Sequence, residues 1–206
     1  MGFVSNKFVT AVKEKAANKG GGSDLFLNPS STPDGGSVRF SAAGEKSLEF
    51  FEIWGRTRDG KPRSLRFAEE PTTKELNDRA ADEGIDLLDK QGNPTKIKQA
   101  LAFWVWNYET SSIQLFQATQ TSILETLASL FSDEDVAADP GAWDLELTRN
   151  GQGLDTRYQL VLKPGKRKGT VKAEVDAAWA ECVAHGWNLD ALLVGGDVTK
   201  PAGGLF

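Results

Sequence analysis

The segment Leu101-Ala-Phe-Trp-Val-Trp-Asn-Tyr108 constrains this chain more than any other. Read as an extended strand, it places Leu101, Phe103 and Val105 on one side and Trp104, Trp106 and Tyr108 on the other, because side chains alternate across a sheet. A strand that is apolar on both sides needs a core beneath it. Above it there must be either a covering helix or a ligand that stacks on the rings. Large aromatics are more often packed than exposed, so both readings stand at this point. Other segments alternate in the same way. Ser37–Ser41 reads as a short strand. In Leu48–Thr57, Phe51 and Ile53 share one face, while Phe50, Trp54 and Arg56 share the other. Asp59-Gly60 is a turn signal before a basic strand over Pro62–Phe67. A turn at 109–111 leads to a strand over Ile113–Thr119. The Asn150-Gly151 turn joins Trp143–Arg149 to Thr156–Lys163 as a hairpin.

Helix signals sit between these strands. Asn6 as N-cap with Phe8, Val12 and Ala16 at helical spacing, followed by Lys19-Gly-Gly-Gly-Ser23, predicts a flexible basic arm over 1–23. Thr72-x-x-Glu75 and Ser122-x-x-Glu125 have the form of capping boxes. The first predicts a polar helix to about Glu83. The second predicts an apolar helix with Ile123, Leu124, Leu127, Leu130 and Phe131 in one stripe. Residues 84–99 read as loop and short helix. Val171, Val175, Trp179 and Cys182 share a face of a helix over 171–185, which Gly186 ends. The expected fold is mainly β with peripheral helices (α+β): an OB-fold five-stranded barrel, with a helix before the final hairpin. The core spans 24–168 with an acidic helical insertion at 68–100. A C-terminal helix at 169–194 packs on it, and 195–206 forms a flexible tail.

Composition removes several function classes. A chain of 206 residues with 39% hydrophobic residues buries a substantial core. Its single Cys182 and single His185 exclude an internal disulfide, thiolate zinc and most catalytic triads, and fit a reducing compartment. No run approaches the roughly 18 consecutive apolar residues of a membrane helix, and the N-terminus lacks a signal-peptide core. No phosphate-cradling glycine loop, dinucleotide fingerprint or nucleophile elbow occurs. Neither cofactor nor metal is expected. The one nuclease-like set is Asp139, Asp144 and Glu146, whose carboxylates fit better as acids on the solvated face of an edge hairpin.

Charge is uneven. The net value of −5 conceals +3 over residues 1–20 and +3 over 142–170, and Arg56, Arg58, Lys61, Arg63 and Arg66 fall within eleven positions. Local field decides what a surface attracts. Flat rings beside guanidinium groups suit single-stranded nucleic acid, whose bases stack and whose phosphates need cations. Trp54, Trp104, Trp106 and Tyr108 are therefore candidate stacking residues. Arg56, Arg58, Lys61, Arg63, Arg66, Arg149, Arg157, Lys163, Lys166, Arg167 and Lys168 are candidate phosphate contacts. Trp143, Trp179 and Trp187 read as packing anchors.

The blocks Ser37-Val-Arg-Phe-Ser41, Leu48-Glu-Phe-Phe51, Ala102-Phe-Trp-Val-Trp-Asn-Tyr108, Ile113-Gln-Leu-Phe-Gln-Ala-Thr-Gln120 and Leu147-Thr-Arg-Asn-Gly-Gln-Gly-Leu-Asp-Thr-Arg-Tyr158 add a resemblance. Over about residues 37–165 the chain resembles the phage single-stranded DNA-binding proteins related to the T-even helix-destabilising protein. The resemblance implies an OB-fold and sequence-independent binding of single-stranded DNA. It also implies service to replication, recombination and repair in the host cytoplasm. It implies self-association through the basic arm, and recruitment of phage replication or recombination proteins by the C-terminal tail, which here ends Leu205-Phe206. Two features depart from the family. Its T-even members hold zinc with Cys and His, and residues 68–100 contain neither. The last 20 residues carry only Asp190 and Asp197 as acids. Stacking and phosphate contacts serve RNA as well as DNA. A non-enzymatic protein-interaction module, such as a virion or replisome adaptor, is the first alternative reading, and a Mg²⁺-dependent nuclease the second.

Overall fold

No proline interrupts residues 37–57, and the two strands expected there run on as one. The computed structural model describes residues 25–89, 91–166 and 168–201. The expected arm over 1–23, Arg167 and the Leu205-Phe206 terminus lie outside the described residues. In chain order the elements are β1 (Phe26–Leu27), β2 (Ser37–Thr57), β3 (Pro62–Phe67), α1 (Thr73–Asp82), β4 (Ile85–Asp86), β5 (Lys98–Asn107) and β6 (Ser112–Ala118). They continue with α2 (Thr121–Phe131), α3 (Glu134–Ala138), β7 (Trp143–Asn150), β8 (Arg157–Pro164) and α4 (Gly169–Ala184), then a 3₁₀ segment over Leu189–Val194.

Strand β2 organises the sheet. Its first part pairs antiparallel with β7 on one edge and β5 on the other. Its second part keeps β5 and exchanges β7 for β3, with β4 pairing at Arg56 and Thr57. A bulge between Ala42 and Ser47 makes the change of direction. Gly44 lies in that bulge with the Trp179 ring so close that a Cβ would come within 2.9 Å of it. The strand order is β1-β6-β5-β2-β7-β8, and the sheet is open. The mixed α+β class is as expected, but the five-stranded barrel is not: β6 and β8 do not pair. Helix α2 leaves the end of β6 and contacts β8, burying Ile123 and Leu127 completely. Apolar side chains, in place of a strand ladder, occupy the span where a barrel would close.

Paired residues share a face, so the register assigns each side its core. On one side Phe40, Phe103, Val105, Phe116, Leu147 and Leu160 meet α2, and the Phe40 and Phe116 rings stack at 4.9 Å. On the other, Phe50, Trp104, Trp106 and Leu115 lie under Val175 and Cys182 of α4 and Leu189 and Leu192 of the 3₁₀ segment. A third cluster joins Ile53 and Leu65 to Ala80 and Ile85 beneath α1.

Local signals fared unevenly. Thr72 and Glu75 form the reciprocal capping box at α1, whereas α2 starts at Thr121 after Gln120, with no side-chain cap. The Asn150-Gly151 signal opens a longer loop. Asp34 accepts a hydrogen bond from the Gly151 N–H at 2.7 Å and draws the chain into a 3₁₀ turn over Gly153–Asp155. The described residues of 84–99 contribute β4 and the start of β5, and no helix. Val198, expected in a flexible tail, is buried, and its carbonyl accepts from the Asn188 N–H at 2.8 Å. Burial pushes the Cys182 thiol up to about 11. At pH 8 about one molecule in a thousand then carries the thiolate. Ellman's reagent should leave the native protein unmodified and titrate one thiol after denaturation.

Candidate nucleic-acid interface

The aromatic ladder of β5 is not a binding face. Trp104 and Trp106 are each only 3% exposed. The Trp104 ring meets Trp187 at 4.8 Å and Trp179 at 6.2 Å, so the covering layer supplies its aromatic neighbours. Sequence periodicity identifies the face correctly, but α4 and the 3₁₀ segment take the place proposed for bases. Trp104 and Trp106 are therefore corrected from stacking residues to core.

Tyr108 ends the same row and is half-buried. Its hydroxyl donates to Asp144 at 2.8 Å and lies 3.2 Å from the Ser41 hydroxyl. Asp144 is fully buried and accepts from Arg39 Nε at 2.7 Å and from the Lys166 backbone N–H at 3.1 and 3.2 Å. The Lys166 ammonium lies 5.7 Å from the centre of the Tyr108 ring, and Arg39 also donates to the Pro164 carbonyl at 2.6 Å. Burial foremost, with Asp144 beside it, pushes the Tyr108 phenol up to about 12. This network anchors the basic turn after β8 and uses Asp144 in doing so. Among the described residues no three His, Cys, Asp or Glu side chains gather in a metal-holding group, so the Asp139–Asp144–Glu146 set does not form. Asp144 stands out in the sequence as a candidate carboxylate, but its pairing with Arg39 spans 105 positions and leaves no local sign.

The β2–β3 hairpin differs from the ladder. Trp54 is 47% exposed, yet its indole Nε1 donates to Glu52 at 2.9 Å. One edge of the ring is thereby tied to the sheet, and about half of the residue stays open to solvent. Arg56 follows on the same face and donates to the Gly60 carbonyl of its own turn at 2.8 Å. Arg58 is exposed and makes no ion pair among the described residues. Lys61 pairs with Asp59 at 2.7 Å, both exposed, and exposed Arg63 pairs with half-buried Glu83 at 3.0 Å. Such pairs are worth about 0–1 kcal/mol and exchange readily for a phosphate. Lys61 and its neighbour Thr57 hold the Asp59 carboxyl below its ordinary range. Arg66 is otherwise committed: it pairs with buried Glu52 at 3.0 Å and donates to the Leu192 carbonyl at 3.4 Å.

The second basic cluster splits as well. Arg149 donates to the Ser30 and Thr32 carbonyls and braces the loop before β2. Lys163 pairs with Glu146 at 3.2 Å. Arg157 and Lys168 are exposed without ion pairs among the described residues. With Arg39 and Lys163, Arg157 shares the outer face of the β2–β7–β8 part of the sheet. The two clusters lie at opposite ends of the covering layer: Lys166 stands just before α4, and Arg66 touches the 3₁₀ segment after it. A groove of about 1,110 Å³ between the β2 bulge and α2 contains none of the expected site residues. Its lining mixes Leu101, Leu124 and Phe131 with Glu45, Lys46 and Lys98. No helix among the described residues is long and apolar enough to cross a membrane.

A scan of protein-family models and searches of curated proteins and of solved structures find no match to this chain.

Proposed function

We propose that this chain binds single-stranded DNA without sequence preference, using the β2–β3 hairpin as its principal contact. The observation that carries the reading is Trp54: a half-exposed indole, held at one edge by a buried carboxylate, with Arg56 next on the same face of β2 and Arg58 in the turn that follows. A ring that keeps one orientation offers any base a π-face, and the neighbouring guanidinium groups neutralise the adjoining phosphates. Lys61 in the turn extends this contact, whereas Arg63 lies on the opposite face of the hairpin beside Glu83. Arg157, Lys163, Lys166 and Lys168 form a second cationic surface that a longer strand reaches. An OB-type ancestry belongs to the same proposal. The long bent strand shared between two sheet segments supports it, as does the row of sequence blocks over 37–158. On this reading the protein serves phage replication, recombination and repair in the host cytoplasm.

Fluorescence anisotropy of a labelled oligothymidylate tests the proposal. Trp54→Ala should weaken binding about 5- to 150-fold, the span of one base–aromatic stack. The Arg56→Ala/Arg58→Ala double variant should flatten the slope of log affinity against log salt by about 1.4, since each single-strand phosphate contact contributes roughly 0.7. The second reading, a protein-interaction module, is favoured by the burial of Trp104 and Trp106 under the chain's own helix. Under it, neither variant changes oligonucleotide binding.

A further inference from the structure

Glu52 is a costly residue for its position. It lies among Phe50, Ala100 and Ala102 on the covered face of the sheet and is 3% exposed. Its carboxylate receives side-chain donors from three strands. Trp54 Nε1 of β2 donates to Oε2 at 2.9 Å, while Arg66 Nε of β3 at 3.0 Å and Gln117 Nε2 of β6 at 3.2 Å donate to Oε1. Arg66 is in turn held by the Leu192 carbonyl and lies 5.8 Å from the Phe50 ring centre. Desolvating an ion pair commonly offsets its attraction, and an apolar residue would pack there without that penalty. The network thus adds little to stability that a leucine would not. What it adds is a fixed acceptor at the edge of the one tryptophan that faces solvent on β2.

We propose that Glu52 is the positioning residue of the stacking site: its carboxylate immobilises the Trp54 indole before a base arrives. This rests on reading Trp54 as the stacking platform. An unanchored indole explores several rotamers and loses that freedom on binding, and immobilising one such side chain costs about 2- to 10-fold in affinity. Arg66 and Gln117 hold the carboxylate from its far oxygen, so Oε2 stays directed at the ring.

A double-mutant cycle on oligothymidylate affinity, at constant salt, tests the assignment. Glu52→Gln keeps one acceptor oxygen, which Arg66 and Gln117 both claim, and turns its NH2 to the indole N–H. It should weaken binding about 2- to 10-fold in the natural chain and not at all in the Trp54→Ala background. The Trp54 indole N–H resonance, identified by its absence in Trp54→Phe, should exchange quickly with solvent in Glu52→Gln. Equal weakening in both backgrounds, or none in the natural chain, overturns the positioning role while a weakened Trp54→Ala keeps the stacking reading. An unchanged Trp54→Ala overturns both. Where Glu52→Gln does not fold, Trp54→Phe examines the same bond from the ring. It keeps an aromatic face without the N–H, and natural affinity in that variant overturns the proposal.

Discussion

Trp104→Ala is expected to lower the free energy of unfolding by about 3–5 kcal/mol, the range for removing a buried aromatic. Its thermal midpoint should fall by roughly 10–15 °C for a chain of this size. The indole fills the space between the sheet and the covering layer, in contact with Trp179 and Trp187, and neither ring can move far. Helix α4 depends on the Gly44 bulge beneath Trp179, so a cavity here loosens the helix as well. Circular dichroism melting measures the loss. Oligonucleotide affinity, measured at a temperature where the variant is folded, should stay natural. A variant of unchanged stability and lost binding would return Trp104 to the stacking face.

Asp144→Ala should cost about 3 kcal/mol, because it leaves the Arg39 guanidinium and the Tyr108 hydroxyl facing a vacated buried site. Urea denaturation provides the measurement. An ultraviolet titration provides a second one. Burial and Asp144 together raise the Tyr108 phenol from its ordinary 10 to about 12, so the natural fold favours the protonated ring. The stability this contributes is complete below pH 10 and is lost as pH rises towards 12. Removing the carboxylate removes one raising influence, and Tyr108 should ionise at lower pH in the variant. DNA incubated with Mg²⁺ should remain intact with natural and variant proteins alike, in keeping with a structural Asp144.

The elements that sequence disclosed are those with local causes. Alternation exposed the two faces of β2 and β5, and Thr72 with Glu75 announced α1 through a contact between residues three apart. What covers a face depends on distant chain. Helix α4 shows an inward row, Val171, Val175, Trp179 and Cys182, which signals packing on the core but carries no local sign that it lies over Trp104 and Trp106. The same distinction divides the candidate site. Trp54 and Arg56 share a face by simple alternation, and Glu52 precedes them on it, so the hairpin was readable. The diversion of Arg66 to Glu52 and Leu192, and of Arg149 to Ser30 and Thr32, comes from strand register and loop return. Counting cations in a segment cannot separate such braces from free charges. The barrel expectation failed for a related reason: the seven strand-like segments fit a closed ladder, but the apolar stripe of α2 takes the same gap.

The continuous strand β2 also governs how the chain must be assembled. Its first residues find their β7 partners about a hundred positions later, as the Arg39–Asp144 contact illustrates. Pairings this remote delay folding, because a large loop must close before any contact rewards it. Emerging from the ribosome, β2 meets β3 and then β5, while the edge at Ser37–Ser41 waits for Asp144–Thr148. A chain halted before Trp143 therefore presents an unpaired strand edge. Aggregation of incomplete chains should begin there, at the segment that becomes most central once synthesis is finished.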